Sequence, residues 1–214
     1  MVLFGKTGNG KSATGNTILG EKVFKVSASA ASVTAQCQYG SSRVDGKEID
    51  VIDTPGVLDT GSLSAMKTFK GHLEENADHQ KNILQEVSKI FAMAPFGFHA
   101  IILVVKYGCR FTMEDAQAMK MLQALLEEDA MDHMILLLTH GDQAENEAEE
   151  EEISTDQRVG EWLKTLPSWV QSFINQIGNR VVVMNNTLKP HKDQEAYGKQ
   201  LSKLIQVKNE SNKQ

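Results

Sequence analysis

Apolar runs alternate with helical stretches along most of the chain. Short runs rich in branched apolar side chains predict buried strands at Glu48–Asp53, Ala100–Lys106, Met134–Leu138 and Arg180–Met184. Val2–Phe4 is expected to be the end of one more strand, immediately before a glycine-rich loop. Near-continuous apolar runs are typical of parallel strands that are covered on both faces, so the pattern predicts an α/β fold.

Helical periodicity occupies most of the sequence between these runs. We expect helices at Ala13–Leu19, Gln80–Phe91, Glu114–Glu127, Gln157–Ile177 and Asp193–Val207. Pro167 should kink or split the helix that contains it. Asp45-Gly46 is a hairpin signal that joins Cys37–Val44 to the following strand as an antiparallel pair. The prediction is a doubly wound, mostly parallel sheet with one antiparallel edge strand.

The loop after the first strand carries the strongest functional signal. Gly5-Lys6-Thr7-Gly8-Asn9-Gly10-Lys11-Ser12 fits the P-loop pattern G-x-x-x-x-G-K-[ST]. Its glycines let successive backbone N–H groups point inward at phosphate oxygens. Lys11 would place its charge at the β- and γ-phosphates, and Ser12 would give its hydroxyl to Mg²⁺. The helix that includes Ala13 would aim its positive dipole end at the anion. These residues therefore predict a nucleotide site.

A second phosphate element follows the predicted strand Glu48–Asp53. In Asp53-Thr54-Pro55-Gly56 the carboxylate of Asp53 is expected to hold Mg²⁺ through water, and the Gly56 N–H to reach a γ-phosphate. Between the two elements lies Ser32-Val33-Thr34. A threonine at this place in phosphate switches gives a hydroxyl to Mg²⁺, so Thr34 is the third candidate metal ligand.

Base recognition is predicted after the strands Met134–Leu138 and Arg180–Met184. Thr139-His140-Gly141-Asp142 stands where guanine-specific NTPases have [N/T]-K-x-D. The Asp142 carboxylate would accept hydrogen bonds from guanine N1–H and its amino group, a donor pair that adenine lacks. His140 replaces the usual lysine and could stack on the base, and Asn185-Asn186 are expected to complete the pocket.

Composition limits the function classes. The 214 residues, 41% hydrophobic, are enough for one domain with a full core, and the net charge of −6 argues against a nucleic-acid binder. No run approaches the ~20 apolar residues of a transmembrane helix, so no direct membrane anchor is expected. Two cysteines, Cys37 and Cys109, favour a reduced, cytoplasmic setting. Six glutamates within Glu145–Glu152 indicate a solvated loop or helix start, with an acidic docking site as the alternative.

With these motifs the chain resembles the immune-associated GTPases (GIMAP/IAN, AIG type), relatives of the septins and of chloroplast import receptors. The resemblance covers roughly residues 2–205. It is carried by Gly5 to Gly20, Ser32-Val33-Thr34 with Cys37, Val51 to Gly56 with Asp59-Thr60, His99 to Asp115, Thr139 to Asp142, and Asn185-Asn186. The stretch ending in Arg110-Phe111-Thr112-Met113-Glu114-Asp115 is the most specific, because it resembles a box that ordinary small GTPases lack.

The resemblance implies a GTP/GDP- and Mg²⁺-binding domain, here residues 1–207, followed by a polar tail at 208–214. It implies slow or partner-dependent hydrolysis and GTP-driven dimerisation, as a homodimer or a family heterodimer. It also implies a cytoplasmic protein that acts at organelle membranes or as a scaffold. Val57 and Leu58, which follow Gly56, cannot orient water. Arg110 resembles the arginine that members supply across a dimer, although an ordinary surface arginine is the alternative. A GTP-bound scaffold without hydrolysis remains the second hypothesis. A P-loop kinase is a disfavoured alternative, because such an enzyme would need several arginines in its lid.

Overall fold

The computed structural model describes residues 1–26, 36–44, 46–56, 88–112, 115–116, 119–120, 122–123 and 128–211. The strands are β1 Val2–Phe4, β2 Gln38–Val44, β3 Lys47–Asp53, β4 Ile101–Lys106, β5 Met134–Thr139 and β6 Val181–Val183. The helices described over their full length are α1 Lys11–Leu19, α2 Gly141–Glu150, α3 Thr155–Lys164, α4 Ser168–Gln176 and α5 Gln194–Ser211. A 3₁₀ helix at Glu128–His133 leads into β5.

The described strands form one sheet in the order β2-β3-β1-β4-β5-β6. All neighbours are parallel except β2 and β3, which run antiparallel from the pair Gln38 and Asp53 to the pair Val44 and Lys47. The chain moves outward from β1 in both directions, with helices in the crossovers, which is a doubly wound arrangement. The predicted fold class is therefore confirmed, including the antiparallel edge strand.

Strand alternation divides the core between the two faces of the sheet. In β4, Ile101, Leu103 and Val105 join one buried cluster, while Ile102 and Val104 join the other. The first cluster packs against α3 and α4, and the second against α1 and α5. Because both faces are covered, β4 and β5 are apolar along almost their whole length, as the sequence predicted.

The helix boundaries differ from the predictions where turns or tertiary contacts decide them. Pro167 precedes α4 and divides the predicted helix into α3 and α4, because a proline cannot continue the hydrogen-bond ladder. Of the predicted helix Gln80–Phe91, only residues from 88 are described, and 88–93 are helical. The described residues within Glu114–Glu127 are helical as well, and α5 continues to Ser211.

The glutamate-rich stretch is mainly helix. It was expected to be a loop or a helix start, but α2 begins at Gly141 and carries the first glutamates in its body. Arg158 of α3 donates hydrogen bonds to Glu147 and Glu151, which offsets the unfavourable negative charge near the carboxyl end of α2. This cross-helix pairing is a tertiary contact, so the sequence pattern of α2 alone does not reveal it.

Candidate nucleotide-binding site

The P-loop occupies the turn between β1 and α1. Gly5, Gly8 and Gly10 have φ angles of 151°, 84° and 90°, which side chains rarely adopt, so the loop needs glycine at these positions. Gly10 is the N-cap of α1, where helix N–H groups face outward. The Lys11 ammonium donates to the Gly5 and Lys6 carbonyl oxygens at 2.8 and 3.0 Å, so it is held across the loop. Thr7 lies in the same turn, and Ala13 in the first turn of α1.

The metal side of the site brings two predicted ligands together. The Ser12 hydroxyl donates to Oδ2 of Asp53 at 2.6 Å, and Asp53 is fully buried. Thr54 follows Asp53 and donates to the Leu3 carbonyl oxygen at 2.7 Å, which ties the end of β3 to β1. A hydroxyl and a carboxylate are the hard oxygen donors that Mg²⁺ prefers, so the donor set fits this ion. Gly56 is half-buried three residues after Asp53, and Thr34 lies outside the described residues.

Thr139 joins the base loop to the P-loop. This threonine is 1% exposed, and its hydroxyl donates to the Asn9 carbonyl oxygen at 3.0 Å. The side-chain amide of Asn9 donates in turn to the Val104 carbonyl oxygen at 3.0 Å. The loop after β1 is therefore hydrogen-bonded to β4 and to the last residue of β5, which fixes the P-loop relative to the start of the next loop.

His140 and Asp142 lie at the start of α2. His140 is the N-cap with a φ angle of 61°, a left-handed conformation that is uncommon for a residue other than glycine. Burial, followed by the charge of Lys106, lowers the pKa of His140, so its ring is neutral at pH 7. Asp142 stands in the first turn of α2, where a carboxylate is favoured by the helix dipole.

The two asparagines after β6 have different roles. Asn185 is 5% exposed, and its side chain donates to Glu145 at 2.8 Å and accepts from the Thr187 hydroxyl at 2.6 Å. Asn186 donates to the Thr14 hydroxyl of α1 at 3.1 Å. Its side-chain oxygen is buried and has no hydrogen-bond partner within the described part of the chain. A buried acceptor that lacks a donor is costly, so Asn186 is the asparagine suited to a ligand N–H.

Arg110 is exposed and lies four residues after the end of β4. Within the described part of the chain, its guanidinium has no hydrogen-bond or ion-pair partner. The next residue, Phe111, packs between Trp162 of α3 and Trp169 of α4, with ring centroids 6.4 and 6.0 Å away. Arg110 also lines a cavity of about 160 Å³ together with Lys6 and Asn9 of the P-loop. It is therefore an exposed cation beside the phosphate loop.

Sequence reasoning missed three residues that connect the site. Thr139 is hydrogen-bonded to Asn9, and Thr14 is hydrogen-bonded to Asn186. Asp115 forms an ion pair with Lys6 at 2.6 Å. The first position of T-x-x-D was a signal for Thr139, and the specific box that ends at Asp115 was a signal for that carboxylate. No local pattern marked Thr14, because its partner is 172 residues away.

All these groups stand at the carboxyl edge of the parallel strands, where ligands bind in open α/β sheets. The strand order and the P-loop between β1 and α1 define a P-loop GTPase fold. Toc33 from Arabidopsis thaliana, solved with GDP and Mg²⁺, aligns with a TM-score of 0.63 at 20% identity, covering 97% of this chain and 82% of that chain. The same protein with Mg²⁺ and GMPPNP aligns with a TM-score of 0.61 at 19% identity, covering 98% and 83%.

The sequence comparison identifies the family. The AIG1 family model matches residues 1–214, and the chain belongs to that family. Immune-associated nucleotide-binding protein 7 of Arabidopsis thaliana is 34% identical over 208 residues, 97% of this chain and 58% of that protein. Immune-associated nucleotide-binding protein 9 is 35% identical over 97% of this chain and 53% of its own length. The chain thus spans about half the length of these curated relatives. Among the described residues, no helix is long and apolar enough to cross a membrane.

Proposed function

We propose that this protein is a guanine-nucleotide-binding switch that dimerises with GTP and hydrolyses it slowly, mainly within the dimer. The observation that carries the proposal is the contact of Ser12 with Asp53 at 2.6 Å beneath the P-loop, on a sheet edge that also presents Asp142 and Asn186. In this proposal, residues 1–207 are the guanine-nucleotide-binding domain, and residues 208–214 are a polar tail that follows it.

Phosphate binding is assigned to the loop Gly5 to Ala13. Its backbone N–H groups would surround the phosphates, and Lys11 would supply a charge that is now held by two backbone carbonyls. Ser12 and Asp53 would hold Mg²⁺, with Thr34 as a further ligand. The ion would neutralise charge on the β- and γ-phosphates. Gly56, three residues beyond Asp53, would approach the γ-phosphate.

Guanine selection is assigned to Asp142 and Asn186. The carboxylate would accept from guanine N1–H and the amino group, and the buried Asn186 oxygen would accept a further donor. The neutral ring of His140 would lie against the base. Asn185 supports the pocket, because its side chain already holds Glu145 and Thr187.

Hydrolysis is assigned to a second subunit. Neither Val57 nor Leu58 can orient water, whereas Arg110 is exposed beside the P-loop and has no ion-pair partner among the described residues. An arginine supplied in trans can raise a phosphoryl-transfer rate by ~10³–10⁵. Two solved neighbours support this proposal. One is a dimerisation-deficient arginine-to-alanine mutant of Toc33, and for atToc33 and psToc159 dimerisation is important for the GTPase activity.

The partner would be a second copy of this chain or a related family member, and nucleic acid is not a ligand in this account. The proposed location is the cytoplasm, with peripheral association with organelle membranes. The described residues include no helix that could span a membrane. The second candidate function is a GTP-bound scaffold without hydrolysis. Val57 and Leu58 favour it, because neither side chain can orient water at the positions directly after Gly56.

One experiment separates these functions. The mass of the protein is measured by light scattering with GDP and with a non-hydrolysable GTP analogue, and phosphate release from GTP is measured over a range of protein concentrations. The switch predicts a dimer only with the GTP analogue and a specific activity that rises with concentration. A dimer without phosphate release would establish the scaffold. A monomer with both nucleotides would contradict the two functions together.

A further inference from the structure

Lys6 links the P-loop to a distant segment of the chain. Its ammonium lies 2.6 Å from Oδ1 of Asp115, and the two side chains are only 26% and 19% exposed. Asp115 belongs to the same short segment as Arg110, five residues earlier. This ion pair therefore joins the phosphate loop directly to the segment that carries the exposed arginine.

The second oxygen of Asp115 fixes the backbone just after Arg110. Oδ2 accepts hydrogen bonds from the Thr112 N–H at 2.7 Å and from the Thr112 hydroxyl at 2.9 Å. The Asp115 N–H lies 3.4 Å from the Thr112 hydroxyl oxygen. This reciprocal pattern is that of a capping box, which sets the direction in which a chain enters a helix. One carboxylate thus holds both the P-loop and the turn after Arg110.

The two segments also share the lining of one cavity. This cavity of about 160 Å³ is lined by residues of both segments and by neighbouring apolar side chains: Gly5, Lys6, Asn9, Leu103 to Val105, Cys109 to Thr112, Asp115 and Met119. The ion pair of Lys6 with Asp115 is a direct bond between the two segments, and Phe111 packs against Trp162 of α3 and Trp169 of α4.

Asp115 is charged at neutral pH. Burial favours the neutral form, but the hydrogen bonds from Lys6 and from Thr112 outweigh it, and the pKa of Asp115 lies below its ordinary value. The ion pair is therefore present under the conditions in which GTP would be hydrolysed.

We propose that Asp115 is a positioning residue that, through its bond to Lys6, holds Arg110 at a fixed place relative to the P-loop. The inference rests on the proposed function, because Arg110 then acts on the nucleotide of a second subunit. A loosened segment would present the arginine in many positions, of which few would meet the developing phosphate charge. Nucleotide affinity would change little, because Asp115 does not contact the phosphate loop's backbone donors.

The test is a double-mutant cycle on the full chain. Asp115→Asn keeps an oxygen acceptor for Thr112 but removes the charge that pairs with Lys6. We expect it to lower the concentration-dependent GTPase rate by roughly 10–100-fold, since a displacement of about 1 Å can cost ~10²-fold. Labelled-GDP affinity should stay within about threefold, less than one hydrogen bond is worth. Asp115→Glu, which restores the charge, should recover part of the rate.

Dependence on Arg110 separates positioning from a general structural effect. Asp115→Asn should add nothing to the loss caused by Arg110→Ala, because the segment then has no arginine to place. Asp156→Asn is the matched control, since Asp156 forms an ion pair of the same 2.6 Å length with Lys203 on the surface. It should leave the rate unchanged. Additive losses in the Asp115 and Arg110 double variant, or a wild-type rate in Asp115→Asn, would overturn the proposal.

A readout without catalysis distinguishes failure of the inference from failure of the proposed function. Hydrogen–deuterium exchange of residues 107–112 should be several-fold faster in Asp115→Asn, while exchange in β5 should not change. Unchanged exchange at 107–112 would overturn the proposed bond, whatever the hydrolysis rate. The variant could show faster exchange while the wild type shows no concentration-dependent hydrolysis. That result would contradict the proposed function and the role of Asp115 in it, although the ion pair of Asp115 with Lys6 would still fix the segment.

Discussion

Gly141→Ala tests the contact between the two loops that we propose to bind the base. Gly141 starts α2, and its N–H donates to the Met184 carbonyl oxygen at 3.1 Å. A Cβ at this position would lie 2.9 Å from both the Asn185 backbone nitrogen and the Met184 carbonyl carbon. These are backbone atoms, so relief requires the two loops to separate, and overpacking of this kind costs about 1–3 kcal/mol.

The same separation would move Asp142 away from Asn186. We expect Gly141→Ala to lower the free energy of unfolding by about 1–3 kcal/mol. The melting temperature should fall by about 2–4 °C for each kcal/mol in a domain of this size. GDP affinity should fall about tenfold, the equivalent of one hydrogen bond. Urea denaturation of the nucleotide-free protein and titration with labelled GDP measure the two effects separately.

Gly160→Ala is the matched control. Gly160 lies within α3, and an added Cβ there would meet no atom within 4 Å. The substitution should stabilise the protein by about 0.5–1 kcal/mol through helix propensity and leave GDP affinity unchanged. If Gly141→Ala were as stable as the wild type, or behaved like Gly160→Ala, the close packing of the base loop against Asn185 would be refuted.

Three further substitutions test the phosphate side and the ion pair. Lys11→Ala should weaken GTP binding by roughly 10–100-fold in equilibrium titration with Mg²⁺, because it removes a charge-assisted contact; near wild-type affinity would mean that the P-loop does not bind phosphate. Ser12→Asn should abolish the gain in GTP affinity that Mg²⁺ provides in the wild type, and an intact gain would remove Ser12 from the metal site. Asp115→Asn should lower the free energy of unfolding in urea at pH 7. The difference from the wild type should shrink as the pH falls below 3.8, the ordinary pKa of an aspartate, because a lowered pKa gives stability only while the carboxylate is charged. An equal difference at pH 7 and pH 3 would contradict this assignment.

Local sequence predicted the parts of the fold that depend on short-range chemistry. The apolar runs located the strands because both faces of the sheet are covered, and alternation in β4 distributes its side chains between two cores. The P-loop stands directly after β1 and Asp53 at the end of β3, as their sequence patterns indicated, and their binding of phosphate and metal stays a prediction. The contact between Ser12 and Asp53 follows from the parallel pairing of β1 with β3.

Long-range contacts account for what the sequence did not predict. The helix α2 extends through much of the glutamate-rich stretch because Arg158 of another helix pairs with it. Asn185 and Asn186 are adjacent and chemically identical, yet one is committed to Glu145 while the other keeps a buried acceptor. Such differences depend on which side chains meet in three dimensions, and no local pattern encodes them.

Competition for labelled GDP tests the central claim, guanine-nucleotide recognition, most directly. Unlabelled GTP and ATP are each titrated against the bound GDP, first in the wild type and then in Asp142→Asn, with xanthosine triphosphate as a third competitor. We predict that GTP displaces the label at far lower concentration than ATP. In Asp142→Asn the preference should shift to xanthosine triphosphate, because the carbonyl of xanthine would face the new amide. Equal displacement by GTP and ATP in the wild type would contradict the account.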